Sequence, residues 1–184
     1  CVVALLAYSA GPFPASRHGL GDVFVLLFYG YVPVFFTFYL VSGYAAEQVF
    51  SFSSPTAFKV FLLASAVAFP SVNILVLNNF RDYYNDKAEG KRTTVVMFGR
   101  RFALGFYLVN GIIALLCVLF FFQPWSEYSF SLLVFLGYLF AHVGTLRGIA
   151  RTAKGPALNR YLGQTSRNLM ILAVFICGTL IVYA

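Results

Sequence analysis

The chain has 184 residues, 60% of them hydrophobic and only 10% charged, with a mean hydropathy of +0.82. A soluble domain carries about 25% charged residues, so the composition excludes one and points to an integral membrane protein. The net charge of +7 lies in short loops between apolar runs, where topology explains it better than a nucleic-acid partner does.

A short apolar run, residues 1–8, opens the sequence. It is too short to cross a bilayer, which takes about 20 residues, and reads as the end of a membrane helix. Residues 1–184 are therefore expected to be the C-terminal part of a single transmembrane domain, with earlier helices ahead of Cys1. A Gly- and Pro-rich turn follows at 9–19 and stops any helix. Apolar spans are predicted at 22–46, with a kink at Pro33, and at 56–79, which contains Pro70. A charged block occupies 80–101, and further spans are predicted at 102–122, 130–146 and 162–183. No segment alternates as a barrel strand would. The expected fold class is an all-α membrane bundle of five complete helices and the end of a sixth. Trp125 and Tyr128, between two spans, fit an interfacial aromatic belt. Cys117 and Cys177 lie deep in apolar segments and read as buried free thiols.

The basic residues test this layout. Arg17, Arg81, Lys87, Lys91, Arg92, Arg100 and Arg101 fall on one side, with Arg147, Arg151, Lys154, Arg160 and Arg167. The other side has only Lys59. The positive-inside rule assigns the first side to the cytoplasm, in a multi-pass protein of the cell membrane.

Three of the six acidic residues and four of the thirteen basic ones fall within residues 78–93, N-N-F-R-D-Y-Y-N-D-K-A-E-G-K-R-T. Charge concentrated at the edge of an apolar chain is a functional-site hypothesis. If the span ending at Asn79 continues as a helix, Asn78, Asp82 and Asp86 form one stripe at i, i+4 and i+8. Two unpartnered carboxylates on one face suit Mg²⁺, which takes one or two carboxylates and fills its shell with water and substrate phosphate. Gly90 is placed to end the helix in a left-handed cap, freeing Lys91 and Arg92 to turn toward a bound anion. The competing reading is a solvated loop of ordinary interfacial charges.

Residues 78–95 resemble the second aspartate-rich motif of the UbiA-type intramembrane prenyltransferases. They are most similar to the 1,4-dihydroxy-2-naphthoate polyprenyltransferases, whose pattern is N-N-x-R-D-x-x-x-D-x-x-x-G-K-R-T. Residues 8–14 (Y-S-A-G-P-F-P), 19–25 (G-L-G-D-V-F-V) and 158–167 (L-N-R-Y-L-G-Q-T-S-R) are also similar to that subfamily. The resemblance implies nine helices around a lipid-open cavity and two aspartate-rich motifs that hold Mg²⁺ against a polyprenyl diphosphate. By position, Asp82 and Asp86 would be metal ligands and catalytic residues. Asn78, Asn79 and Arg81 would flank the diphosphate, and Lys91 and Arg92 would bind it and assist ionisation. The first motif is not in these residues and is expected ahead of Cys1, so this part alone is expected to be inactive. The implied reaction prenylates 1,4-dihydroxy-2-naphthoate with loss of its carboxylate as CO2, giving demethylmenaquinone. Arg17 and Arg167 are candidates for holding that aromatic acid. Acceptors such as 4-hydroxybenzoate, homogentisate or a tetrapyrrole remain alternatives, as does an ion-coupled transporter using Asp82 and Asp86. His18 reads as a loop residue. His142, Asn73 and Asn110 are expected to hydrogen-bond between helices.

Overall fold

The structure, a computed structural model, describes residue 8 and residues 14–46, 54–122, 129–152 and 155–182. A 3-10 turn (Ala15–Arg17) leads into α1 (Gly21–Val25), a π-helical turn (Leu26–Tyr31) and α2 (Val32–Ala46). Then come α3 (Pro55–Ala88), α4 (Thr94–Phe121) and α5 (Ser129–Arg151). A second 3-10 turn (Pro156–Leu158) precedes α6 (Asn159–Val182). No strand occurs among the described residues. Residues 1–7 and 9–13, with the expected helix end and most of the first turn, lie outside the described residues, as do Trp125, Tyr128 and Lys154.

Four described stretches are long and apolar enough to cross a membrane: Gly21–Ser42, Pro55–Ala88, Thr94–Phe121 and Pro156–Val182. Large apolar side chains cover their outer faces; Ile181 is 79% exposed and Phe36 61%. Such a surface is solvated by lipid rather than water. The chain is a multi-pass, all-helical membrane protein.

Local chemistry explains the helix ends. Ser54 accepts a hydrogen bond from the Ala57 N–H at 3.0 Å, and Pro55 takes the first helical position of α3, where its missing N–H costs nothing. Thr93 caps α4 in the same way through the Val96 N–H. Helix α4 thus begins eight residues before the predicted 102, because residues 93–101, counted with the charged block, hold a cap and a first turn rather than a loop. Gly99, at φ 86°, breaks that first turn from the rest of α4. The kink expected at Pro33 is a widened turn instead. Pro33 has no N–H for the Tyr29 carbonyl, and the π-helical residues Leu26–Tyr31 lie directly ahead of it.

Helix α3 is the hub, packing on α4, α6 and the π-helical turn. Ala64, Ala66 and Ala68 are fully buried, and a Cβ at Gly30 would collide with Ala68. Small residues let membrane helices approach closely. Above this face Val72, Val76, Leu77 and Phe80 pack with Val95, Ala103 and Tyr107. Cys117 is only half-buried and Cys177 is exposed, so the expectation of two buried thiols is corrected. Cys177 lies on the lipid-facing side of α6.

A chain of buried polar groups ties four helices together. The Asn73 amide donates to the Tyr107 carbonyl at 3.0 Å, and the Asn110 amide donates to Asn73 Oδ1 at 2.9 Å. His142 Nε2 lies 3.0 Å from the Tyr107 carbonyl, and its ring stacks on that of Tyr107 at 4.6 Å. The Tyr107 hydroxyl meets Thr165 at 2.8 Å, and Asn168 donates to Thr145 at 3.1 Å. Asn73, Asn110 and His142 therefore do hydrogen-bond between helices.

Candidate active site

Helix α3 runs unbroken through Asp82 and Asp86 to Ala88. It ends in a Schellman motif: the Gly90 N–H donates to the Lys87 carbonyl at 3.3 Å and the Lys91 N–H to the Asp86 carbonyl at 2.9 Å. Gly90, at φ 70°, makes the left-handed turn. The reversal brings the Lys91 ammonium onto Asp86 Oδ1 at 2.9 Å and onto Glu89 at 3.0 Å. Next along the chain, the Arg92 N–H donates to the Arg17 carbonyl at 2.9 Å. That bond fastens the turn before α1 to the end of α3. Gly19, at φ 77°, lets the turn pass beneath Met97, where a Cβ would collide.

The result is a cavity of about 220 Å³. Asn78, Asn79, Asp82 and Asp86 line one wall, so the predicted stripe does face a single space. Arg17, Asp22, Lys91 and Thr94 also line it. Asp86 is buried and Asp82 half-buried.

Three placements differ from the sequence reading. The carboxylates are not unpartnered. Arg81 grips Asp82 with two bonds, at 2.8 and 2.6 Å, and Lys91 holds Asp86. Two like charges one helical turn apart repel, and each draws in a neighbouring cation. Arg81 stands beside Asp82, not on the cavity wall, and its remaining nitrogen donates to Asn159 Oδ1 at 3.0 Å. One guanidinium thus couples the acidic stripe to the start of α6. The Arg92 side chain is exposed and off the cavity wall; its backbone is what ties into the site. Arg17 and Arg167 line different cavities. The hydrogen bonds to Asp86 and then Glu89 hold the Lys91 ammonium above the ordinary lysine range.

Asp22 is the residue that the sequence reading missed. Its Oδ2 accepts a hydrogen bond from the Thr94 hydroxyl, while its Oδ1 is buried with no partner among the described residues. A buried carboxylate oxygen left open is costly. The sequence signal for it is an acidic residue that opens an apolar span. The described residues contain no cluster of three or more His, Cys, Asp or Glu side chains with metal-holding geometry. The cavity offers instead a carboxylate pair, a third carboxylate, and amide and hydroxyl oxygens. This hard-oxygen set suits Mg²⁺ rather than a soft metal.

Comparison with known proteins identifies the family. Residues 1–161 match the model of the UbiA prenyltransferase family. The chain is 33% identical over 135 residues to a 1,4-dihydroxy-2-naphthoate octaprenyltransferase of Haemophilus influenzae, covering 71% of this chain and 40% of that protein. It is 31% identical over 99 residues to the Escherichia coli enzyme of the same name, covering 53% of this chain and 28% of that protein. The matched part thus spans less than half the length of either relative. No solved structure matches. With a family match that runs through the acidic stripe and its Gly-Lys-Arg turn, the chain belongs to the UbiA prenyltransferase family.

Proposed function

We propose that the chain carries the diphosphate-binding half of a membrane prenyltransferase. The enzyme moves a polyprenyl group from its diphosphate to 1,4-dihydroxy-2-naphthoate, releasing diphosphate and CO2 and giving the reduced, quinol form of demethylmenaquinone. The observation that carries the reading is the convergence of Asp82, Asp86, Lys91 and Arg17 on one cavity. The names of both relatives support the acceptor. An ion-coupled transporter has no comparable support from the family match.

Asp82, Asp86 and the open oxygen of Asp22 would hold Mg²⁺. When bound, it screens the diphosphate and stabilises it as a leaving group. Lys91 is a single point charge on a flexible stem. It guards Asp86 while no cation is present and swings to the diphosphate when one displaces it. Arg17 reaches the same anion, and together they stabilise the charge that develops as the allylic C–O bond breaks. Asn78 and Asn79 orient the diphosphate oxygens. Arg81 fixes the Asp82 rotamer and, through Asn159, its distance from α6. The allylic carbon then bonds to the acceptor ring at the carbon bearing the carboxylate, and loss of CO2 restores the aromatic ring. A complete site also needs the first acidic motif, which this reading places ahead of Cys1.

The test uses the full-length protein in membranes with Mg²⁺, a polyprenyl diphosphate and a panel of aromatic acids. Prenylated naphthoate is the expected product, and Asp82→Asn and Asp86→Asn should each lower it at least about 100-fold. Product from a benzoate acceptor alone would replace the acceptor assignment. Undiminished product in both variants would remove the metal assignment.

A further inference from the structure

We infer that a second groove, between α5 and α6, is a binding site for the phosphate headgroup of an anionic phospholipid. This inference is independent of the reaction proposed above. The groove has a volume of about 520 Å³ and shares no lining residue with the acidic cavity. Arg147 and Arg151 line it from the last turns of α5, and Arg160, Gln164 and Arg167 from the first turns of α6. Spacings of four and seven residues place each set on one helical face.

The groove is built rather than incidental. Gly148 lies so close to the Tyr161 ring that a Cβ would collide with it, which locks the two helices together at this level. The Arg160 guanidinium stacks 4.5 Å from the Tyr161 ring centroid and donates to its hydroxyl, holding that arginine at the groove. The amino end of the 24-residue α6 adds the positive end of its macrodipole.

Four guanidinium groups on one groove repel one another, and no acidic side chain among the described residues pairs with them. Residues 128–184 contain no Asp or Glu. The ion pairs among the described residues are Arg81–Asp82, Lys91–Asp86 and Lys91–Glu89. Positive-inside topology requires cations near this end of the helices, but it does not require them to converge on one groove from two helices. Arginine forks match phosphate oxygens in pairs.

A lipid is favoured over a free anion by what continues along the same faces. Phe140 on α5, one turn before Gly144, is 80% exposed, and Ile171 and Val174 follow Arg167 on α6 at 41% and 62%. The arginines thus cap an apolar track that leads into the membrane. Phosphate at the top and acyl chain below is the arrangement that basic pockets between membrane helices offer anionic lipids.

The experiment reconstitutes the full-length protein with equal parts phosphatidylglycerol and phosphatidylcholine and counts the lipids retained by native mass spectrometry. Wild type should retain phosphatidylglycerol selectively. Arg147→Gln/Arg167→Gln should lower that retention by about thirtyfold, at roughly 1 kcal/mol per arginine. Both residues are exposed. Lys87→Gln/Arg101→Gln removes the same charge from other exposed positions and should leave retention unchanged. Equal loss in that control would reduce the effect to general electrostatics and overturn the site. Equal retention of both lipids, or no loss in the arginine variant, would also overturn it. Displacement of the lipid by millimolar inorganic phosphate or diphosphate would reassign the groove to a free anion. Should the glutamine variant lose helicity, Arg147→Lys/Arg167→Lys replaces it; it keeps the charge, loses the paired donors and should retain several-fold less phosphatidylglycerol.

Discussion

Two polar regions stand in this apolar chain, and they are built on opposite plans. The chain through Asn73, Tyr107, Asn110 and His142 is buried, carries no carboxylate and is hydrogen-bonded across the helices, with Asn110 Oδ1 alone of its linking groups left without a partner among the described residues. The acidic cavity holds carboxylates, borrows cations to balance them, and leaves Asp22 Oδ1 open. In hydrocarbon, a polar group that finds its partner serves packing, whereas charge kept at an open cavity serves a ligand. Substitutions in the two regions should therefore separate stability from activity.

The largest effect is expected at Asp82 and Asp86. Each change to Asn should lower product formation at least about 100-fold, some 2.7 kcal/mol of barrier, with thermal stability close to wild type. Mg²⁺ titration of the residual activity checks the cause: a ligand loss moves the midpoint upward. A comparable fall in melting temperature in both variants would erase the contrast between the regions.

Gly111→Ala tests the other region. A Cβ there would meet the His142 ring, so His142 must leave the Tyr107 carbonyl or α4 and α5 must part. Overpacking of this kind costs about 1–3 kcal/mol. Thermal unfolding should show it, while turnover per folded molecule stays near wild type.

The two regions also differed in legibility. Helix positions and the inter-helix roles of Asn73, Asn110 and His142 followed from sequence, because a polar side chain in a lipid-facing or buried span has few ways to be satisfied. The acidic stripe was legible too, since Asp82 and Asp86 lie on one continuous helix and i, i+4 spacing alone sets their common face. What crosses between helices was not. Asp22 is 60 positions from Asp82 in the chain, and only the folding of α1 against α3 brings it to the cavity. The pairing of Lys91 with Asp86 was hidden for a related reason. The Schellman turn was foreseen, but whether the lysine returns to its own helix or to a ligand depends on what occupies the cavity.

Asp22→Asn should have a smaller effect than either stripe variant, about tenfold, because one of its oxygens is engaged by Thr94. Its signature is a raised Mg²⁺ requirement at saturating diphosphate. A change in unfolding temperature without that shift would return Asp22 to a structural role and leave the open oxygen unexplained.

The smallest effect concerns pH and decides how Lys91 works. Its pKa lies above the ordinary value near 10.4 because Asp86 and then Glu89 hydrogen-bond the charged form. A group raised in the folded state keeps its charge, and the stability that the charge contributes, below its ordinary pKa; both are lost only as pH climbs through the raised value. Between about pH 7 and 9 Lys91 should therefore stay protonated. Its contribution to diphosphate binding should then be flat across that window, and Lys91→Arg should retain most of the activity that Lys91→Met loses. If wild-type kcat/KM falls within the window and the fall disappears in Lys91→Arg, the ammonium loses its proton before Asp86 releases it. Lys91 would then be a titrating group rather than the permanent charge that the Asp86 contact implies.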